Sequence, residues 1–180
     1  GELKFDFTSC ALKPFSTVSI LTKKGSGTLY LYKDANNYGG NAGFGDDALL
    51  DIQGGTVKLS CVNVPQTILP KSVVLANGAT LHLTGRNSLG AANIDSATDL
   101  RIGGDLRFDS EGTNMDCMQS IRNLTLEPGA SFTCGKNSQG STSAAEPVAA
   151  RGILYVQGSV IVTGSDPLPR TLALTVGQNR

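Results

Sequence analysis

Short apolar–polar–apolar runs recur along this chain, and each pair of runs is separated by a turn containing glycine. Val18-Ser-Ile20 precedes a polar turn through Gly27 and then Leu29-Tyr-Leu31. Leu50-Asp-Ile52, Gly54-Gly55 and Val57-Lys-Leu59 repeat the arrangement, as do Val73-Val-Leu75, Asn77-Gly78 and Leu81-His-Leu83. It recurs in Leu100-Arg-Ile102, Gly103-Gly104 and Leu106-Arg-Phe108, and in Leu124-Thr-Leu126, Pro128-Gly129 and Phe132-Thr-Cys134. The sixth unit is Leu154-Tyr-Val156, Gly158 and Val160-Ile-Val162, and Leu172-Ala-Leu174-Thr-Val176 reads as the start of a seventh. Alternation with period two places the apolar residues of each strand on one face. No long stretch carries the spacing of an amphipathic helix, so the expected fold class is all-β.

The glycines that anchor the turns are Gly27, Gly55, Gly78, Gly104, Gly129 and Gly158, at intervals of 28, 23, 26, 25 and 29 residues. Glycine is expected there for the positive φ that tight turns require. Two architectures are compatible with such a chain. Antiparallel hairpins would form a sandwich, and Asn77-Gly78 is a hairpin signal. A period near 25 residues favours a parallel β-helix, a solenoid of about six coils in which each coil buries its inner face only by stacking on the next. Six coils at the strand spacing of about 4.8 Å make a column of about 30 Å. In that arrangement Val57, Leu81, Leu106, Phe132 and Val160 should form one inward ladder. Residues 1–16, with the alternating run Leu3-Lys-Phe5-Asp-Phe7, are expected to be an N-terminal strand or cap, and residues 17–180 the repeats. Two long polar segments, Asp34 to Asp47 and Gly135 to Pro147, are expected to be loops, where function concentrates.

Composition narrows the function classes. Apolar residues make up 39% of the 180 and charged residues 17%, which argues for a folded chain. Lys plus Arg and Asp plus Glu both total 15, so no global field draws the chain to nucleic acid or to an anionic membrane. No apolar run approaches the roughly 18 residues of a membrane helix, so this segment is not expected to insert in a bilayer. The opening Gly1-Glu2-Leu3 reads as a processed or excised start, with the remainder of a larger parent chain as a partner. The four cysteines, Cys10, Cys61, Cys117 and Cys134, have no Cys-x-x-Cys spacing, and His82 is the one histidine, which argues against zinc. Two disulfides, in any of three connectivities, would fit an oxidising compartment. Buried free thiols are the alternative. Cys117 and Cys134 are the closest pair, and a bond between them would close a loop worth about 3 kcal/mol in the chain-entropy model.

Leu75-Ala-Asn-Gly-Ala-Thr-Leu-His-Leu-Thr-Gly85, Gly54-Gly-Thr-Val-Lys-Leu-Ser60 and Leu124-Thr-Leu-Glu-Pro-Gly-Ala-Ser-Phe-Thr133 resemble the β-strand repeats of autotransporter passenger domains. The resemblance covers roughly residues 48–176. It implies a right-handed parallel β-helix exported to a bacterial surface, acting as an adhesin or as a stalk for one. The four cysteines depart from the cysteine-poor habit of such passengers, and the chain contains no membrane barrel.

Candidate chemistry is sparse. The acidic stretch from Asp95 to Asp116 contains Asp105 and Asp109, which would approach if a turn folded them together, and glycoside hydrolysis needs two carboxylates about 5–10 Å apart. A polysaccharide lyase would instead need a basic group to take a proton, with Arg101 and Arg107 as candidates. The ordinary reading of all four is solvated surface charge, in which case Asp105→Ala and Asp109→Ala change stability by no more than about 0.5 kcal/mol. Asp34, Asn36, Asp46 and Asp47 sit in a Gly-rich stretch similar to a calcium-binding turn, but one copy cannot complete a shared site. No cofactor is expected. His82, between Leu81 and Leu83, is expected to point outward as a surface residue, and Asn123-Leu-Thr125 is a glycosylation acceptor sequence. The expected function is structural or adhesive: a segment of a secreted or cell-surface protein presenting loops to a glycan or protein ligand. A pectin-lyase-like lyase or hydrolase is the alternative.

Overall fold

The computed structural model describes residues 1–6, 19–33, 48–61, 71–84, 89, 98–109, 117–134 and 152–164. Fourteen strands occur in them: β1 (Glu2–Asp6), β2 (Ile20–Lys23), β3 (Thr28–Lys33), β4 (Leu49–Ile52), β5 (Thr56–Cys61), β6 (Ser72–Leu75), β7 (Thr80–Leu83), β8 (Asp99–Ile102), β9 (Asp105–Phe108), β10 (Cys117–Ile121), β11 (Asn123–Leu126), β12 (Ser131–Cys134), β13 (Gly152–Val156) and β14 (Val160–Val162). No helix occurs among the described residues, so none there is long and apolar enough to cross a membrane. The chain is all-β, as expected.

Successive strands go to different sheets. The first sheet has the order β1-β3-β5-β7-β9-β12, the second β14-β11-β8-β6-β4-β2, and a two-stranded sheet holds β10 and β13. Every pairing among the described residues is parallel. The turn at Asn77-Gly78 therefore makes no hairpin; it passes the chain from β6 in one sheet to β7 in another. Its geometry suits that task. The Ala79 N–H donates to the Ala76 carbonyl at 3.1 Å with Gly78 at φ 78°, and the Ala130 N–H donates to Glu127 at 3.0 Å with Gly129 at φ 94°. A proline followed by a positive-φ glycine, as in Pro128-Gly129, is the pattern of a type II turn.

Not every anchoring glycine serves positive φ. A Cβ on Gly104 would collide with the carbonyl oxygens of Ala79 and Ala76, in the turn beneath it. Glycine is needed there because stacked turns bring backbone against backbone.

Register aligns apolar residue over apolar residue. In the first sheet Leu29, Val57, Leu81, Leu106 and Phe132 face one another in successive strands, and so do Leu31, Leu59, Leu83 and Phe108. In the second sheet the columns are Leu21, Leu50, Val73, Leu100 and Leu124, and Ile52, Leu75, Ile102 and Leu126, with Lys23 at the β2 end of the second column and the exposed Val160 and Val162 at the β14 end of the two. These columns meet in one core, most of it fully buried. Each buried Leu or Ile contributes about 1.5–3 kcal/mol of transfer free energy.

Three expectations need correction. Val160 belongs to the second-sheet ladder over Leu124, not to the ladder of Val57, Leu81, Leu106 and Phe132. The sixth unit is displaced by one strand: β13 stacks on β10, and the Gln157 and Gly158 N–H groups donate to Ile121 and Arg122. Gly158 thus lies over Arg122, and the positive-φ glycine beside Pro128 is Gly164. In the first unit Ile20 faces outward at 61% exposure, and Leu21 takes the inward position over Leu50. The opening segment contributes β1, which pairs with β3 at the edge of the first sheet. The strand expected at Leu172–Val176 lies outside the described residues.

Candidate functional site

Outward positions of the first sheet form their own column: Lys4, Tyr30, Lys58, His82, Arg107 and Thr133. Alternation fixes this from Tyr30 to Arg107, because each of those four stands between two inward apolar residues. At one end Lys4 Nζ lies 4.3 Å from the Tyr32 ring centre and Lys58 Nζ lies 4.6 Å from that of Tyr30. Such contacts are worth about 0.5–1 kcal/mol at exposed sites.

The chemically richest group is His82, Asp109 and Arg107. His82 Nε2 lies 2.6 Å from Asp109 Oδ2, and Arg107 Nε donates to the same oxygen at 2.9 Å. His82 is directly opposite Arg107 in the register, and Asp109 is two residues further on the same face. Burial pushes the His82 pKa below its ordinary value, and Arg107 and Lys58 push the same way, against the hydrogen bond and charge of Asp109. The imidazole is therefore neutral at pH 7. A carboxylate accepts but cannot donate, so Nε2 carries the proton and Nδ1 has the lone pair. The side chains of His82 and Asp109 are only 18% and 16% exposed. His82 is thus half-buried and paired, where the sequence suggested a plain surface residue. The spacing of one period places it opposite Arg107, but the pairing with Asp109 has no signal in the sequence.

Of the four candidate catalytic residues, the structure brings only Arg107 and Asp109 together. Asp105 and Asp109 lie at the start and just past the end of β9, with no turn between them. Four residues of strand separate their Cα atoms by about 13 Å. Their side chains are also held toward opposite neighbours. Asp105 Oδ1 accepts from Ser131 Oγ and Thr133 Oγ1, both at 2.8 Å, on the β12 side, whereas Asp109 reaches back to His82 on β7. Arg101 is in the second sheet, where its Nε donates to Glu127 Oε1 at 2.6 Å. Arg107 remains with Asp109.

The outer face of the second sheet has a shallow depression of about 330 Å³, bordered by Asp99, Arg101, Asn123, Thr125, Ser159 and Ile161. A hydrogen-bonded ladder crosses it. Asn123 Nδ2 donates to Asp99 Oδ1 at 2.8 Å, and Asn123 Oδ1 accepts from the Ser159 N–H at 2.9 Å and from Ser159 Oγ at 3.0 Å. Arg122 forms an ion pair with Asp99 and, with Asn123, holds its carboxyl below the usual carboxylate range. Both ends of the Asn123 amide, the nominal glycosylation acceptor, are thus engaged between layers.

Among the described residues no group of three or more His, Cys, Asp or Glu side chains could hold a metal ion. Asp34, Asn36, Asp46 and Asp47 lie outside the described residues. Cys117 begins β10 and Cys134 ends β12, in different sheets; their side chains lie outside what is described. No protein family, curated protein or solved structure matches the chain.

Proposed function

We propose that this chain is a right-handed parallel β-helix segment of a secreted or cell-surface protein with a structural and adhesive role, displaying the segments between its coils to a glycan or protein ligand. The observation that carries the reading is the pairing of each strand with its counterpart one period away, always parallel, around one apolar core. A parallel crossover is right-handed in about 98% of cases, which supports the hand. Such a column separates its tasks: the inner face supplies stability, while the polar segments 34–47, between β3 and β4 in the sequence, and 135–147, between β12 and β13, carry the ligand contacts. The outward polar groups support a binding role over catalysis, because the carboxylates of Asp99, Asp105 and Asp109 are each engaged by neighbouring side chains. The test is binding of the chain to immobilised glycans, with each of the two long segments replaced by a short Gly-Ser link. Loss of binding in a replaced chain that keeps its β circular dichroism is expected. Unchanged binding after both replacements overturns loop display.

The second reading, a polysaccharide-cleaving enzyme, is favoured by one feature, the neutral His82 oriented by Asp109 beside Arg107. An imidazole so placed has the form of a general base. Cleavage of a uronate polymer that is abolished by His82→Ala would establish it in place of the adhesive reading.

A further inference from the structure

We propose that the outer face of the first sheet holds a binding site for the sulfate ester of a sulfated glycan, centred on His82 and formed with Lys58 and Arg107 on the two neighbouring strands. The site stands apart from the segments between coils, so it does not depend on the loop display proposed above.

Register brings the three residues together. Lys58 is directly opposite His82, and His82 is directly opposite Arg107, so β5, β7 and β9 each contribute one basic side chain to the same outward column. Neighbouring strands lie about 4.8 Å apart, so the outer two stand about 10 Å apart across the imidazole, within reach of long side chains. The Arg107 side chain is 45% exposed, and its Nε donates to Asp109 at 2.9 Å, which leaves the other guanidinium N–H groups outside that bond. Lys58 Nζ rests 4.6 Å from the Tyr30 ring centre. An exposed contact of that kind is weaker than a charge-assisted hydrogen bond, so an anion over His82 draws the ammonium across on its flexible stem.

The local charge favours an anion. The charged groups that act on the His82 ring are Asp109, Arg107 and Lys58. Two cations and one carboxylate leave one positive charge over around a neutral imidazole. The Asp109 side chain is also the less accessible of its ion pair with Arg107, so the cation is the group presented to solvent. Asp105, the other carboxylate of β9, is turned to the β12 side, where it accepts from Ser131 and Thr133.

The number of donors selects the anion. A carboxylate presents two oxygens, whereas a sulfate ester presents three terminal ones, one for each strand. In the neutral ring Nε2–H is committed to Asp109 and Nδ1 is an acceptor; protonation makes Nδ1 a donor and adds a charge. Sulfate and this proton therefore assist one another's binding. Burial, Arg107 and Lys58 keep the ring neutral at pH 7, so the third donor appears only as pH falls below 6.5.

The experiment measures binding of residues 1–180 to immobilised dextran sulfate, with unsulfated dextran and polygalacturonate as comparisons, at about pH 7.5 and about pH 5. Binding to dextran sulfate alone is expected, weakened about tenfold by Lys58→Gln or by Arg107→Gln. Arg101→Gln, which removes a cation of the second sheet, should leave it unchanged. Acidification should tighten it about tenfold, and His82→Gln should remove that gain. Arg107→Gln also takes a partner from Asp109, so Lys58→Gln, which leaves that pair intact, decides if the first variant loses its β circular dichroism. No binding by a chain with intact β signal overturns the site. Equal weakening by Arg101→Gln shows diffuse attraction and overturns it too. Equal binding to polygalacturonate overturns the sulfate assignment. Replacing both long segments by Gly-Ser links should leave this binding intact. Loss of binding there, with Lys58→Gln and Arg107→Gln without effect, places the contacts in the segments; loop display then stands and this site falls.

Discussion

Burial holds the His82 imidazole below its ordinary pKa of 6.5 despite a carboxylate 2.6 Å away. As pH falls, the unfolded chain therefore takes up this proton before the folded one does. The contribution of His82 to stability is complete above about pH 6.5 and is lost as pH drops toward the folded pKa. Thermal unfolding should show a falling midpoint between pH 7.5 and pH 5, and His82→Gln should flatten that slope. Asp99 acts in a separate window. Its carboxyl is held below 3.8, chiefly by Arg122, so its contribution is present above that value and disappears only in stronger acid. Asp105 and Asp109 also part company. Asp109 is mostly buried and serves both His82 and Arg107, so Asp109→Ala should cost about 1–3 kcal/mol in urea denaturation, beyond the small effect of a surface change. Backbone crowding gives a third contrast. Gly104→Ala should cost more than Gly78→Ala, by about 1–3 kcal/mol, because Gly104 abuts the turn below whereas Gly78 faces open space. Gly78→Ala should show only the left-handed backbone penalty of about 1–2 kcal/mol.

At the scale of the element, strength follows position in the column. Leu81 has a strand on either side and no exposed surface, so Leu81→Ala should cost about 2–5 kcal/mol. Val162→Ala, on an exposed terminal strand, should fall within about 0.5 kcal/mol in dilute solution. Equal effects would mean that the terminal strand is as firmly packed as the centre. The same distinction explains what could be read from sequence. Strands β4 to β9 are legible because both inward residues of each are apolar and buried, with a turn signal in every gap between paired units. β10 was missed because its alternation is broken. Gln119 points into the buried layer, where its Oε1 accepts the Leu89 N–H at 2.9 Å, and Ser120 beside it is also buried. The sixth unit was misphased for a different reason. Leu154-Tyr-Val156 followed by Val160-Ile-Val162 fits any two consecutive strands of a coil, and only pairing to Ile121 and Arg122 decides which two. Of the candidate site, the outward phase of Arg101 and Arg107 was legible from alternation. The His82–Asp109 pair was not, because it depends on a diagonal between neighbouring strands.

At the scale of the molecule, each strand among the described residues bonds only to described strands one period before or after it. In-register partners are 23 residues apart from Leu50 to Val73 and 36 apart from Leu124 to Val160. Amide hydrogen exchange should accordingly be graded by distance from an end: slowest in β5 to β8, fastest in β1, β2 and β14. Uniform protection would show that the stack opens only as a unit.

The offset between 23 and 36 residues also bears on how the chain finds its fold. A strand searching for its partner must close a loop of one period, and the entropy of that closure grows only logarithmically with loop length. Lengthening the stack adds further closures of about one period each and never one that spans the stack. The slowest ordinary closure should therefore be the longest one, between β11 and β14. In stopped-flow refolding, shortening the segment between β12 and β13 should speed the final phase, while the phases that assemble β4 to β9 stay unchanged.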